Sequence, residues 1–565
     1  MILKSSPTYS DVFNESEPDI DLLLKDLPSK MVITILGYIN SELYLSSDNK
    51  IQIKIFEKLT RRFDSKTKIL ISNNIRKLVK EDLEINFFSV KINLEFMHHV
   101  LIHYVDGKYS DSTPINELNF FKSYLIITKK INEKYKPKDL SESPDKHKFF
   151  REYLWPVIVD QIDINQTESP VVGLVKGLNL LNYFSQSEYS NNLEIFLTEN
   201  KEPDIWNYIV KLLNLLQNSW NKLDSEIPPF LIEEDNLFHP LFDTFILDEN
   251  EYKKIYSSDS NHYSGLKNKP LIKNKKKLII SNWGFISNKL YEGLIFDFYN
   301  KSAIKNHPKF EKFVDYKNLI AQEVTEKRLF KKLLSKYLKN KNSVLEFDDN
   351  KEQGFPDAYF RNGKHVFLFE IKDAYFANTA IKSYSYKKIK EEIDKKYNSK
   401  RKGTGQIIKH LKKLRDKPFE DKSYSEIRIK PKNLVIYPII IFTSHVFESP
   451  GFNKYLIKEF ENKLMNENLQ NSFGQIKNLT FMNISFLINN LSNRDKFTFK
   501  EVIDFYHNRI KAIEKKDKKL NSLDLLHESN NNFEYFSKIF FTKKKLDISK
   551  PIFKEIVETL ELKNT

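Results

Sequence analysis

The chain has 565 residues, 40% of them hydrophobic and 13% aromatic, with a formal net charge of +15 and a pI near 9.2. Such a length and apolar content support two to four domains with real cores and exclude a mainly disordered chain; the charge points to a polyanionic partner, with nucleic acid the leading candidate. There is no cysteine, which excludes disulfides, zinc-thiolate centres and thiol catalysis and leaves oxygen or imidazole to hold any metal.

The opening Met1-Ile2-Leu3-Lys4-Ser5-Ser6-Pro7 lacks a secretory apolar region. No stretch approaches the roughly 18 uninterrupted apolar residues of a membrane span, so the expectation is a cytoplasmic protein without a membrane partner. Residues 1–30 read as a loose polar arm ahead of Leu22-Leu23-Leu24. Helical spacing follows between 50 and 135, as from Thr67 onward and over Leu94 to Ile102. His98 and His99 are adjacent on that second helix, point about 100° apart and read as structural, with no metal expected on them. The Pro/Ser-containing stretch 136–147 marks a seam. Beyond it Phe149 to Ile164, Val171 to Phe184 and Ile205 to Trp220 carry apolar residues at helical offsets, with Trp155, Trp206 and Trp220 as core residues. Residues 1–221 are therefore expected to form a mainly helical N-terminal domain, suited to recognising a substrate, a partner protein or a second copy of the chain.

Residues 222–299 read as a connecting region with short strands at Phe245 to Leu247 and Lys277 to Ile280, then a helix from Phe285 to Tyr299. A second domain is expected over 300–500, with C-terminal helices over 501–565. It opens with a helix from Lys317 to Leu338, whose apolar stripe (Leu319, Leu329, Phe330, Leu333, Leu334, Tyr337, Leu338) also contains Glu323 and Glu326. Two acids on a core-facing stripe are unusual. Ser343 to Phe347 reads as the first strand.

Next comes Phe355-Pro356-Asp357-Ala358-Tyr359-Phe360-Arg361-Asn362-Gly363-Lys364-His365-Val366-Phe367-Leu368-Phe369-Glu370-Ile371-Lys372, two strands joined by Asn-Gly, a strong hairpin signal. With Asn362-Gly363 as the loop, Arg361 faces Lys364, Tyr359 faces Val366 and Asp357 faces Leu368. The pleat then puts Asp357, Glu370 and Lys372 on one face, the two acids as diagonal neighbours able to reach one divalent ion. Charges at the end of so apolar a run are costly unless paired or bound to metal.

Downstream, Ile381 to Lys402 interleaves many lysines with Tyr384, Tyr386 and Tyr397, a strip suited to tracking a phosphate backbone while rings stack on bases. A helix starts near Gly403-Thr404-Gly405-Gln406, with Thr404 as its cap. Asn433 to Phe442 is the next strand, in which Pro438 conflicts with a central position. Leu479 to Leu487 is a further strand, and helices follow around Thr498 to Glu514 and Pro551 to Leu562.

Pro356-Asp357 and Glu370-Ile371-Lys372, with twelve residues between them, resemble the signature of the PD-(D/E)xK nuclease superfamily. Pro-Asp recurs at Pro18-Asp19, Pro144-Asp145 and Pro203-Asp204, but only the copy at 356 is in register with an apolar strand ending in acid-x-Lys. The resemblance covers about 300 to 450 and implies an α/β restriction-endonuclease-like core, a mixed sheet flanked by helices, beside a large, mainly α-helical N-terminal region. It implies that Asp357, Glu370 and the Ile371 carbonyl hold one or two Mg²⁺ (or Mn²⁺) ions. Glu326 would assist, with Glu323 in reserve, and Lys372 would orient and help deprotonate the attacking water. Gln406 matches a glutamine that recombination-nuclease relatives carry at the start of this helix; the tyrosine that often follows is absent, His410 being the nearest polar residue. The implied function is a metal-dependent DNA endonuclease in prokaryotic restriction or anti-phage defence. The alternatives are a repair or recombination nuclease or an RNase, and a catalytically silent module that binds nucleic acid or assembles a complex.

Overall fold

A computed structural model describes residues 4–45, 49–79, 84–105, 113–135, 150–165, 169–219, 230–233, 239–256, 262–338, 343–348, 354–416, 421, 430–520, 523–546 and 553–561. The expected seam at 136–147 and the core role of Trp220 lie outside the described residues. The chain divides into two units: Met1–Lys138 with Asp163–Thr167 and Asn191–Ala303, and Asp139–Ile162 with Glu168–Ser190 and Ile304–Thr565. The segments thus interleave, where the sequence suggests regions in series.

The first unit is mainly helical. A short parallel pair, β1 (Lys4–Ser5) and β2 (Glu84–Ile85), accompanies a three-stranded antiparallel sheet in which β3 (Leu231–Glu233) and β4 (Leu271–Asn274) flank β5 (Lys277–Ile280). Residues 1–30 are not a loose arm throughout: helices Tyr9–Phe13 and Ile20–Leu24 bury Tyr9, Val12, Phe13, Ile20 and Leu24, because these apolar residues fall on one side of each turn. Phe96, Phe120, Phe121 and Tyr124 share that core. Part of its polar interior is satisfied by a chain in which the Tyr124 hydroxyl and Asn40 both bond to Asn93, and Asn40 donates to the Ser281 carbonyl.

The second unit is built on a six-stranded mixed sheet. β6 (Ser343–Phe347), β7 (Ala358–Asn362) and β8 (His365–Lys372) form an antiparallel meander; β8 then pairs in parallel with β9 (Val435–Phe442), which on its other side meets β10 (Gln475–Ile476) and β11 (Thr480–Asn483). Both faces of β8 and β9 are covered, which is why they read as continuous apolar runs. On one face Val366, Leu368 and Ile436 pack with Ile407, Ile408, Leu411 and Leu414 of helix Thr404–Asp416; each such aliphatic side chain stabilises by about 2 kcal/mol on burial. On the other, the Phe369 ring meets Phe330 and Phe499, and Phe367 stacks on Tyr437.

Two expectations need correction. The β7–β8 loop is Gly363-Lys364, not Asn362-Gly363: Asn362 pairs with His365, Arg361 with Val366 and Tyr359 with Leu368. Gly363 alone has positive φ (57°) at the first central position, as a type II′ turn requires, and Asn362 stays in the strand. The slip is two residues, so every side chain keeps its expected face. The strand expected over Leu479 to Leu487 ends at Asn483, after which Ser485–Asn489 is helical.

Pro438 sits at the centre of β9 without losing a ladder bond. Val435 donates its N–H to Lys364 beside β8, so by alternation residue 438 faces the opposite side. There β10 pairs only with Val435 and Ile436, and β11 begins at Ile439. Proline occupies the break between two partner strands, where no donor is needed.

Candidate active site

Asp357 immediately precedes β7, and extending the observed register sets it opposite Glu370 rather than diagonal to it. The strand pair holds it there through its own backbone, since the Ile371 N–H donates to Asp357 Oδ2 at 2.7 Å. Lys372 Nζ lies 2.7 Å from Glu370 Oε2 and 3.8 Å from Asp357 Oδ2. The second Glu370 oxygen is bonded to His410 Nε2, whose Nδ1 meets the Gly354 carbonyl at 2.8 Å. Both ring nitrogens of His410 therefore face acceptors. Glu370 is fully buried, while the side chains of Asp357 and Lys372 retain 16% and 19% exposure, enough to open toward a ligand.

The electrostatics set the two acids apart. Burial alone would push the Glu370 carboxyl up, but the Lys372 ammonium and His410 outweigh it and hold the group at about 2. Asp357 goes the other way: burial, then the charges of Glu370 and Glu326, push it well above the ordinary carboxylate range, against the pull of Lys372. Burial likewise works against the Lys372 ammonium, which Glu370 and Asp357 keep protonated above its usual range. Opposed environments on neighbouring acids are a mark of functional sites.

A cleft of about 470 Å³ opens beside this pair at Lys372; it is lined by Glu326, Ile371, Lys372 and Gln406 and walled by Lys317, Lys396, Arg401 and Lys402, while Asp357 and Glu370 lie behind its lining. Glu326 comes from a continuous helix, Phe313 to Leu338, whose middle, Ile320–Phe330, is wound with wide i→i+5 turns of a kind frequent at functional sites. Of the two helix acids, Glu326 lines the cleft, whereas Glu323 pairs with Lys327 at 2.6 Å. Gln406 spends its side-chain oxygen on the Gly403 N–H at 3.1 Å, helping to start helix Thr404–Asp416. Thr404 is not the cap expected of it; its hydroxyl donates to Asn398. Gly403 (φ 57°) has to be glycine, because a Cβ there would meet the Tyr397 carbonyl oxygen at 2.2 Å. That close approach fixes the turn carrying Arg401 and Lys402 beside the cleft.

The basic strip divides. Lys387, Lys388 and Lys395 are exposed, and Lys396 reaches the cleft. Tyr397 is core, edge-on to Phe447 and Phe481, and the half-buried Tyr386 ring lies against Trp155 at 5.5 Å, so neither is an open stacking platform. Trp155 is fully buried and Trp206 half-buried.

Two members of the site have no role in the sequence reading, which names His410 only as the polar residue nearest the absent tyrosine and passes over Asp373. His410 lies four residues after Gln406, hence on the same helical face, and that spacing was the available signal. Asp373 directly follows Lys372, is buried, pairs with Lys317 at 2.7 Å and accepts from Thr325 and Thr443. Its partners are 48 to 70 residues away, so no local pattern announces it.

The donor set fits a hard divalent cation. Asp357, Glu370 and the Ile371 carbonyl offer oxygen only, as Mg²⁺ or Mn²⁺ prefers, and the Lys372 ammonium supplies positive charge between the two carboxylates. Among the described residues, three acid or histidine side chains with donor atoms all within 4.8 Å of one another occur at Asp21, His99 and His103, whereas Asp357 and Glu370 form no such trio. No helix among the described residues is long and apolar enough to cross a membrane. Comparison of the chain with family models, with curated proteins and with solved structures finds no match.

Proposed function

We propose that the chain is a Mg²⁺-dependent nuclease that hydrolyses phosphodiester bonds, with DNA as its substrate class and the cytoplasm as its compartment, built on a restriction-endonuclease-like core. The observation that carries this reading is the convergence of Asp357, Glu370 and Lys372 at one end of the β7–β8 pair, with Lys372 lining a cleft whose walls are cationic. The antiparallel meander β6–β7–β8 followed by a parallel β9 supports the fold assignment. Asp357, Glu370 and the Ile371 carbonyl would hold the metal, with Glu326 facing it from the helix. Bound there, the metal would polarise the phosphate and stabilise charge developing at phosphorus.

The chain's own residues then have distinct tasks. Lys372, which lines the cleft, would orient the attacking water through its ammonium and would help its deprotonation by stabilising the hydroxide formed, while a metal held by Asp357 and Glu370 would supply the acidity that releases the proton to solvent. His410 keeps Glu370 in place from behind, through its bond to the carboxylate and its anchor at Gly354. Lys317, itself oriented by buried Asp373, and Lys396, Arg401 and Lys402 neutralise the phosphates flanking the scissile bond. A role in prokaryotic restriction or anti-phage defence follows by analogy with the resembled superfamily. The test is incubation of purified protein with linear, circular and single-stranded DNA and with RNA, with Mg²⁺ and with EDTA. Mg²⁺-dependent cleavage of DNA is expected; no cleavage of any substrate would overturn the reading, and cleavage of RNA alone would correct its substrate.

A further inference from the structure

The first unit carries a second grouping of ligand type. Helix Val90–Ile102 ends with His99 in its last turn and His103 as its C-cap, an i,i+4 pair whose rings face each other at 4.7 Å with a 33° tilt. Asp21, from helix Ile20–Leu24, approaches the same point, its Oδ1 3.0 Å from His99 Nε2. One donor atom from each of the three lies within 4.8 Å of the others. All three line a cavity of about 290 Å³ that reaches between Leu24 and Val100. Adjacent His98, equally half-buried, turns away from this point and is bonded to the Tyr252 hydroxyl.

We propose that Asp21, His99 and His103 form a binding site for a divalent first-row transition-metal ion of the Zn²⁺ type. Two imidazoles and one carboxylate are a borderline-soft donor set that suits Zn²⁺ or Co²⁺ and poorly suits Mg²⁺ or Ca²⁺, which take oxygen. Tetrahedral zinc with bonds of about 2.0–2.1 Å spaces its ligand atoms about 3.3 Å apart. The His99–Asp21 pair is already at that spacing. Closing the rest asks for side-chain rotation at a half-exposed aspartate, not backbone movement. The carbonyl end of a helix adds negative potential there. Asp21 also offsets Lys25, which shares the cavity. Three protein ligands leave a fourth position for water or for a partner's side chain.

The experiment is calorimetric titration of the full-length protein, stripped of metal, with Zn²⁺ in excess Mg²⁺, together with the visible absorption of the Co²⁺-loaded protein. Excess Mg²⁺ occupies oxygen-donor positions such as Asp357 and Glu370 but does not compete for imidazole. Asp21→Asn and His103→Gln are the variants, and circular dichroism without metal checks their fold. Since loss of a mere supporting contact weakens a metal site about 10–100-fold, loss of a ligand should weaken Zn²⁺ binding by at least about a hundredfold. An Asp357→Asn/Glu370→Gln variant should bind Zn²⁺ as wild type does, which separates this site from the proposed nuclease centre. No Zn²⁺ binding by the wild type, or binding that survives in Asp21→Asn, would overturn the proposal. Should His103→Gln fail to fold, Asp21→Asn carries the test alone, because that side chain is 55% exposed and leaves the core untouched.

Discussion

Replacing Glu370 with Gln and Asp357 with Asn should have opposite effects on the metal-free protein. Glu370 is held at about 2 against an ordinary 4.5, and a tenfold change in proton affinity is worth about 1.4 kcal/mol, so its ionised form stabilises the fold by about 3 kcal/mol. Because the folded group sits low, that contribution is present above pH 4.5 and is lost as pH falls toward 2. Glu370→Gln removes it and leaves Lys372 and His410 without their anion, so unfolding at pH 7.5 in EDTA should come about 5 °C earlier, at roughly 1.5 °C per kcal/mol for a cooperative unit of this size. Asp357 sits high, so its penalty is absent below pH 3.8 and grows as pH rises above that value. Asp357→Asn should therefore raise the melting temperature of the metal-free protein while abolishing cleavage. Scanning calorimetry across pH 4 to 8 measures both. If both variants destabilise equally, or if Asp357→Asn lowers the melting temperature, the opposed environments assigned to these acids are wrong.

Three further outcomes are expected. Changing Lys396, Arg401 and Lys402 to Gln should weaken duplex binding and reduce the slope of log affinity against log salt by about 0.9 per lost phosphate contact; an unchanged slope in filter binding at several salt concentrations would take the cleft wall out of the interface. Glu534 is half-buried and accepts a hydrogen bond from the Asn483 N–H, and burial of its carboxyl pushes it up to about 7. Its protonated form stabilises the fold below pH 4.5, and about 3 kcal/mol is lost as pH rises through 7, so Glu534→Gln should flatten urea stability between pH 5 and 8. His410→Ala should lower Mg²⁺ affinity about 10–100-fold, as loss of an outer partner of a metal ligand does, and calorimetric titration of Mg²⁺ reports it directly.

The hairpin and the face it presents were legible because strand alternation is local, and a two-residue error in the turn preserves alternation. The turn itself was misread because Asn-Gly suits a loop with two positive φ values, whereas only Gly363 adopts one. Pro438 was legible as a conflict but not as its solution, since the break between β10 and β11 is a property of partners some forty residues away. Burial decided the rest. Tyr397 sits among lysines in sequence and among phenylalanines in space, and Asp373 joins two residues of the Phe313 to Leu338 helix to Thr443 just past β9, which no window spans. The interleaving of 139–162 and 168–190 with the second unit is likewise fixed by tertiary contacts such as Lys176 to the Thr443 carbonyl and Asn179 to the Val324 carbonyl.

The central claim is that Lys372 acts on water at a metal held by its neighbours. Lys372→Ala should be compared with wild type on one DNA substrate in Mg²⁺, with cleavage rate and affinity measured on the same preparation. The account predicts that cleavage is lost while DNA affinity stays within about twofold, since one cationic side chain of the cleft wall contributes little to total phosphate binding. Cleavage at the wild-type rate would contradict it and would remove the nuclease assignment from this strand pair.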